Sequence, residues 1–207
     1  MLTVACCLWD ANEKSPENSR CFDRTWVEKL YRGFKRNLTL PFRFVCFTER
    51  AQGFSEPIDT EWLRAETPHF GCLIEPFRLA DEPLIVACLD MVLLHNIDHF
   101  ADYCLHGGKI AAPRNPYDPK ELINPIVLCP KGNRRIFDEW DGEENDMAYL
   151  RKQPHWFMDD LWPGGQTLSL KAGDVRRKGT QNARIVYCHG RPKMHELDLP
   201  WIKENWI

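Results

Sequence analysis

Two residues in this 207-residue chain carry most of its chemical reach, Asp90 and His189. Asp90 lies inside the stretch Pro83 to Phe100, PLIVACLDMVLLHNIDHF. The run is apolar from Leu84 to Leu89, is broken by the carboxylate, resumes from Met91 to Leu94 and stops at His95-Asn96. A carboxylate at the end of a buried strand needs a partner, because a lone buried charge costs several kcal/mol. The candidates are a metal ion, a basic side chain or several backbone amides. His189 leaves a second strand-like run in ARIVYCHGRPKMHE, with Gly190 next and Lys193 four residues on. That set suits a metal-bound diphosphate: imidazole supplies a nitrogen ligand, glycine lets the backbone approach, and lysine neutralises phosphate charge. Alone, a histidine leaving a strand is more often a hydrogen-bonded structural residue. Alongside Asp90 on one sheet it is more informative.

The elements that must place these residues read as alternating strands and helices. The continuous apolar run Leu84 to Leu89 has the length and β-branched content of a central strand covered on both faces. Leu2 to Trp9 reads as a first buried strand ending in the turn Asp10-Ala11-Asn12, followed by a polar loop through Ser15-Pro16 to Arg24. Trp26, Val27, Leu30, Tyr31 and Phe34 recur at helical spacing until Leu40-Pro41, and Phe42 to Phe47 forms a second strand, completing a βαβ unit. Further on, the pattern predicts a short strand near Trp62, a short helix over Cys72 to Leu79 and a helix or turn from Ile97 to Tyr103. Strands at Ile110 to Ala112 and Pro125 to Leu128, a helix from Arg134 to Trp140 and, as the last regular element, a strand at Ala183 to Cys188 follow. In an open α/β sheet, ligands bind at the carboxyl edge of the strands, so Asp90 is expected to mark the site.

Composition narrows the classes. A net charge of −3 gives no bias towards nucleic acid, and the short basic runs Arg32 to Arg36 and Arg176-Arg177-Lys178 read as solvated faces, as does the loop Lys171 to Asn182. The opening run MLTVACCLWD is too short to export the chain and no stretch is long enough to cross a bilayer, so a cytoplasmic protein of one domain, residues 1–207, is expected. Nine cysteines form no CxxC pair and sit mostly in apolar runs, so they read as core residues in a reducing compartment. The acidic run Asp141 to Asp146 and the pair Asp159-Asp160 read as solvated or helix-start carboxylates, Asp146 excepted. Trp156, Trp162 and His155 read as core or lid residues.

Taken together, these motifs resemble the glycosyltransferases of family 8 type and their bacterial and phage relatives. The likeness runs over nearly the whole chain. It includes the opening TVACCLW, the segment LYRGFKRNLTLPFRFVCFTE and a central strand matching LYLDLDTVI at Val86 to Leu94. A GNID-like turn at Asn96-Ile97-Asp98, an asparagine-led strand at Asn124 to Cys129, a PGQ-like turn at Pro163 to Gln166 and a closing HGKPKPHE-like segment at His189 to Glu196 complete it. The resemblance implies a GT-A-type, Rossmann-like α/β/α sandwich with a mostly parallel mixed sheet. It also implies transfer of a sugar, with retention, from a nucleotide-diphosphate donor such as a UDP-sugar to a glycan, lipid or protein acceptor. Carried over residue by residue, it implies that Asp90 and His189 bind a divalent cation, usually manganese. Gly190, Lys193 and Cys88 would face the diphosphate, Leu8, Trp9 and Asp10 would flank the nucleoside, and Asn124 and Asp146 would lie beside the sugar.

Three departures accompany the matches. The aspartate pair of the family becomes Cys88-Leu89-Asp90, which removes a hard oxygen ligand; a thiolate there would favour zinc over manganese or magnesium. Asp146 is followed by Met147 where relatives carry an amide. The basic residue expected in the helix before the strand is absent, with Arg78 the nearest substitute. An active transferase, a transferase-like binder without turnover and a structural module on the same scaffold all remain open.

Overall fold

A computed structural model describes residues 1–15 and 20–207; Pro16, in the expected loop before Arg24, falls outside the described residues. The first strand, β1 (Leu2–Leu8), is buried along its whole length, and its side chains alternate between two apolar cores. Val4, Cys6 and Leu8 point to one core, and Ala5 and Cys7 to the other. Two covered faces account for the unbroken apolar sequence. Helix α1 (Arg24–Asn37) starts where the Asp23 carboxylate accepts the Thr25 amide at 2.9 Å, and it lays Trp26, Val27, Leu30 and Phe34 on the first core.

Strand β2 (Phe42–Thr48) pairs parallel with β1, and the exposed β3 (Asp59–Trp62) closes that edge. A 3-10 helix, Phe70–Leu79, packs on the second core, and Pro76 inside it, lacking an N–H, is compatible with this tighter turn. It leads into β4 (Leu84–Ala87), parallel to β1. The remaining strands of the main sheet are β6 (Ile110–Ala112), β7 (Ile126–Cys129) and β8 (His155–Phe157). The order is β3-β2-β1-β4-β7-β6-β8, all parallel except β7. The sheet is therefore mixed and mostly parallel, as expected.

The apolar run around Asp90 is not one strand. Its continuation, β5 (Met91–Leu93), belongs to a second sheet of three strands, in which it pairs antiparallel with β10 (Ile185–Tyr187). Strand β9 (Thr167–Ser169) lies parallel on the far side of β10. Cys88, Leu89 and Asp90 make the crossing between sheets, so the strand expected through Leu89 ends at Ala87. An apolar pattern cannot mark that switch, because both sheets bury these side chains.

Helix α2 (Asp98–His106) packs Phe100, Ala101 and Cys104 into the first core. The turn before it is structural: Asp98 accepts the Thr39 amide at 2.7 Å and ties the β5–α2 connection to the end of α1. On the other face lie α3 (Arg135–Asp138) and α4 (Asp146–Arg151), the latter capped by the Asn145 side chain. Helix α5 (Met158–Leu161) follows β8. Two expectations for the carboxyl-terminal part are corrected. The basic loop after Lys171 holds a one-turn helix, α6 (Val175–Lys178), whose Val175 is buried. Ala183 to Cys188 is not the last regular element, since a 3-10 turn, Met194–Glu196, and α7 (Pro200–Asn205) close the chain. Trp206 then packs edge-on against Trp26 at 4.7 Å, under the Lys29 ammonium. Among the described residues no helix is long and apolar enough to cross a membrane.

Candidate active site

A cavity of about 440 Å³ opens at the carboxyl edge of the parallel strands. Leu8 and Trp9 reach it from the end of β1, and Cys88 and Asp90 from the crossing after β4. His189 and Gly190 reach it from the exit of β10. Asn124 joins them because β7 runs antiparallel, so the residues that precede it stand at the edge where β4 ends. The Cys88 amide donates to the Pro125 carbonyl at 2.8 Å, locking the two segments together. Asp146 enters from the first turn of α4 and Lys193 from the segment after β10.

Within the cavity the polar groups pair off. The Asn124 amide nitrogen donates to the Asp146 carboxylate. Burial pushes the Asp146 carboxyl above the ordinary aspartate range, against the lowering effect of the Asn124 hydrogen bond. The Lys193 ammonium is held by the Asp90 carboxylate and donates to the Cys188 carbonyl at 2.9 Å. Cys88 Sγ donates to the Asn124 carbonyl at 3.1 Å. Burial, with Asp90 and Asp146 nearby, raises the Cys88 thiol well above its ordinary value, so it stands as a thiol rather than a thiolate. His189 faces a hydroxyl on each side, Ser169 Oγ at 3.4 Å from Nδ1 and the Tyr117 hydroxyl at 3.3 Å from Nε2. Burial lowers the His189 pKa, Lys171 and Lys193 act in the same direction, and Asp90 opposes them.

Most residues singled out in the sequence meet here, but not all. Asp10 does not line the cavity: its carboxylate takes a two-pronged ion pair from Arg50 at 2.8 and 2.9 Å and lines a neighbouring hollow, of which Leu8 and Phe22 are shared with the cavity. Arg78 is also committed elsewhere. It pairs with Glu75, stacks over Phe47 and donates to the Trp62 carbonyl, behind the second core. Trp156 is 49% exposed under Lys109 and is not a core residue, because β8 is an edge strand. Trp162 packs on Phe100, His99 and Tyr103. Asp159 accepts the Arg114 amide and Asp160 its guanidinium.

The cavity also holds residues that the sequence did not single out. Tyr117 stands edge-on to His189, with ring centres 5.4 Å apart, and comes from the proline-rich loop after β6. Arg151, from α4, lines the wall while paired with Glu121 at 2.9 Å. The only sequence signal for Arg151 is its place five residues after Asp146 on one short helix.

These donors do not fit a divalent ion as arranged. Among the described residues no three His, Cys, Asp or Glu side chains gather where an ion could sit. Cys88 Sγ is engaged with the Asn124 carbonyl, and Asp90 already carries an ammonium. A hard ion such as manganese or magnesium asks for several oxygen ligands, and zinc for about four donors.

The shape of the chain matches solved glycosyltransferases. GlyE of Streptococcus pneumoniae TIGR4 aligns with a TM-score of 0.61 at 11% identity, over 99% of this chain and 58% of GlyE. LgtC, described as a galactosyltransferase and solved with donor and acceptor sugar analogues, aligns at 0.54 with 8% identity, over 93% of this chain and 88% of LgtC. The bifunctional glycosyltransferase WbbM aligns at 0.56 with 10% identity, over 98% of this chain and 50% of WbbM. The fold is a glycosyltransferase fold. This chain thus spans somewhat over half of GlyE and half of WbbM, but most of LgtC. No family model and no curated protein sequence matches it.

Proposed function

We propose that this protein is a glycosyltransferase that takes a sugar from a nucleoside diphosphate donor and passes it to a hydroxyl-bearing acceptor. The observation that carries the reading is the meeting of Asp90, His189, Gly190 and Lys193 with Trp9, Asn124 and Asp146 in one cavity at the ligand-binding edge of a glycosyltransferase fold. Five segments far apart in sequence converge there, each bringing a polar or aromatic side chain or an open glycine to the same wall. In this reading Leu8 and Trp9 wall the nucleoside, Gly190 and Lys193 meet the diphosphate, and the Asn124–Asp146 pair presents polar atoms to the sugar. A UDP-sugar donor and retention of configuration are the outcome that the sequence resemblance implies; a glycan is the acceptor we favour.

The chemistry requires the bond between the anomeric carbon and the diphosphate oxygen to break, while a bond from the acceptor oxygen to that carbon forms. The acceptor proton leaves with the diphosphate or to solvent. Negative charge grows on the departing diphosphate, so fixed positive charge beside it lowers the barrier. Leu8, Phe22, Phe70 and Leu73 give the cavity largely apolar walls beside its polar groups.

The test is incubation of the purified protein with a panel of nucleotide sugars and candidate glycan acceptors, following release of nucleoside diphosphate. At least one donor should be consumed, and Asn124→Ala should slow turnover without a matching loss of donor affinity. Donor binding without release would make the protein a binder only. Failure of every donor to bind would end the transferase reading.

A further inference from the structure

The expected metal site and the donor set disagree, and the disagreement points to another source of positive charge. Asp90 holds the Lys193 ammonium, whose side chain is 5% exposed and which also donates to the Cys188 carbonyl. Both ring nitrogens of His189 face hydroxyls. What remains for an ion is less than a coordination shell.

A second ammonium stands close by. Strands β9 and β10 run parallel with Ser169 opposite Tyr187, and the Leu170 amide continues the pairing by donating to the Tyr187 carbonyl at 2.9 Å. The next residue, Lys171, is therefore delivered beside His189-Gly190. A methyl group built on Gly190 would lie 3.1 Å from Lys171 Nζ, and no other non-neighbouring heavy atom lies within 4 Å of that position. Gly190 itself has φ +64°, in the left-handed region that glycine adopts without strain. The Lys171 ammonium has no hydrogen bond or ion pair with any described residue. That exposed ammonium is not part of the cavity wall itself but stands beside Gly190, which is, so an anion at the glycine backbone would lie within its reach.

We propose that the diphosphate is neutralised by two lysines of the chain, Lys171 and Lys193, beside the Gly190 backbone, and needs no divalent ion. Asp90 is then a positioning residue that fixes the Lys193 ammonium. Two ammonium groups supply point charges where the leaving group gains its own, and neither requires proton transfer. This assignment rests on the nucleotide-sugar reading and replaces the metal in it.

Isothermal titration with UDP, ADP and GDP, in chelator and again in saturating manganese, tests it. At least one nucleotide should bind in chelator, with affinity changed less than about twofold by manganese. Lys171→Ala, an exposed substitution whose folding is checked by its melting temperature, should weaken binding about tenfold, the scale of a lost charge-assisted contact. Lys171→Arg should restore most of it. Binding that appears only with manganese overturns the inference and leaves the donor reading standing. Unchanged affinity in Lys171→Ala overturns the role of that lysine. No binding in either condition removes both readings.

Discussion

Lys193 and Asp90, 103 residues apart in the chain, form an ion pair at the point where the two sheets meet. Asp90 sits on the crossing from β4 to β5, and Lys193 lies just past β10, the antiparallel partner of β5. The pair therefore ties the site to the folding of the second sheet. Its side chains are 5% and 18% exposed, so water screens it poorly.

Removing one partner should cost more than removing both. Lys193→Met leaves Asp90 as a half-buried carboxylate without its cation, and a loss of about 3 kcal/mol is expected. Asp90→Asn with Lys193→Met should recover most of that loss. Urea denaturation of the single and double variants gives the coupling directly. Equal destabilisation by the single and double changes would mean that the pair contributes little and the lysine matters through packing.

The Cys88 thiol gives a second expectation. Cys88→Asp would point a carboxylate at the Asn124 carbonyl and set it near Asp90 and Asp146. In chelator that variant should melt below the parent. With manganese it should regain stability, because the added carboxylate supplies the hard oxygen ligand that the parent lacks. The parent should show no such metal-dependent shift. A parent that melts higher in manganese would argue for an ion site built from Asp90 and His189 after all.

These relationships differ in how far the sequence revealed them. The paired cores were legible in the apolar runs of β1 and β4, and the site edge in Asp90 and His189, because buried strands and the charges that interrupt them leave a local pattern. The crossing at Cys88 to Asp90 left none, since hydrophobicity is the same on both sides of the switch. Lys171 was hidden for the opposite reason: among Arg176, Arg177 and Lys178 it looked like one more solvated charge, and only the β9–β10 register brings it to Gly190. The turn of Asp10 towards Arg50 depends on a contact 40 residues away, which neither spacing nor resemblance contained.

Asp146 should leave a pH signature in stability. Burial raises its folded carboxyl above the ordinary value of 3.8. Between those two values the unfolded chain releases a proton that the folded one keeps, so stability falls as pH rises through that window. Asp146→Asn removes the titrating group while keeping an amide beside Asn124. The stability difference between variant and parent should therefore grow in favour of the variant as pH climbs from about 4, then level off once the folded carboxyl has ionised. Denaturant titrations over that range measure it. A pH-independent difference would mean that Asp146 titrates as an ordinary aspartate.

Gly190 offers the closest probe of the proposed phosphate subsite. Alanine there would have to adopt φ +64°, which costs about 1 kcal/mol for a residue with a Cβ, and its methyl would press on Lys171 Nζ at 3.1 Å. The two effects separate in a double-mutant cycle. The strain on stability should persist whether position 171 is lysine or alanine, because it belongs to the backbone. The loss of nucleoside diphosphate affinity should be smaller in the Lys171→Ala background, because the ammonium that the methyl displaces is already gone. Titration of UDP into the four proteins, with melting temperatures alongside, gives both cycles. Additive losses of affinity would show that Gly190 and Lys171 do not act on the same anion.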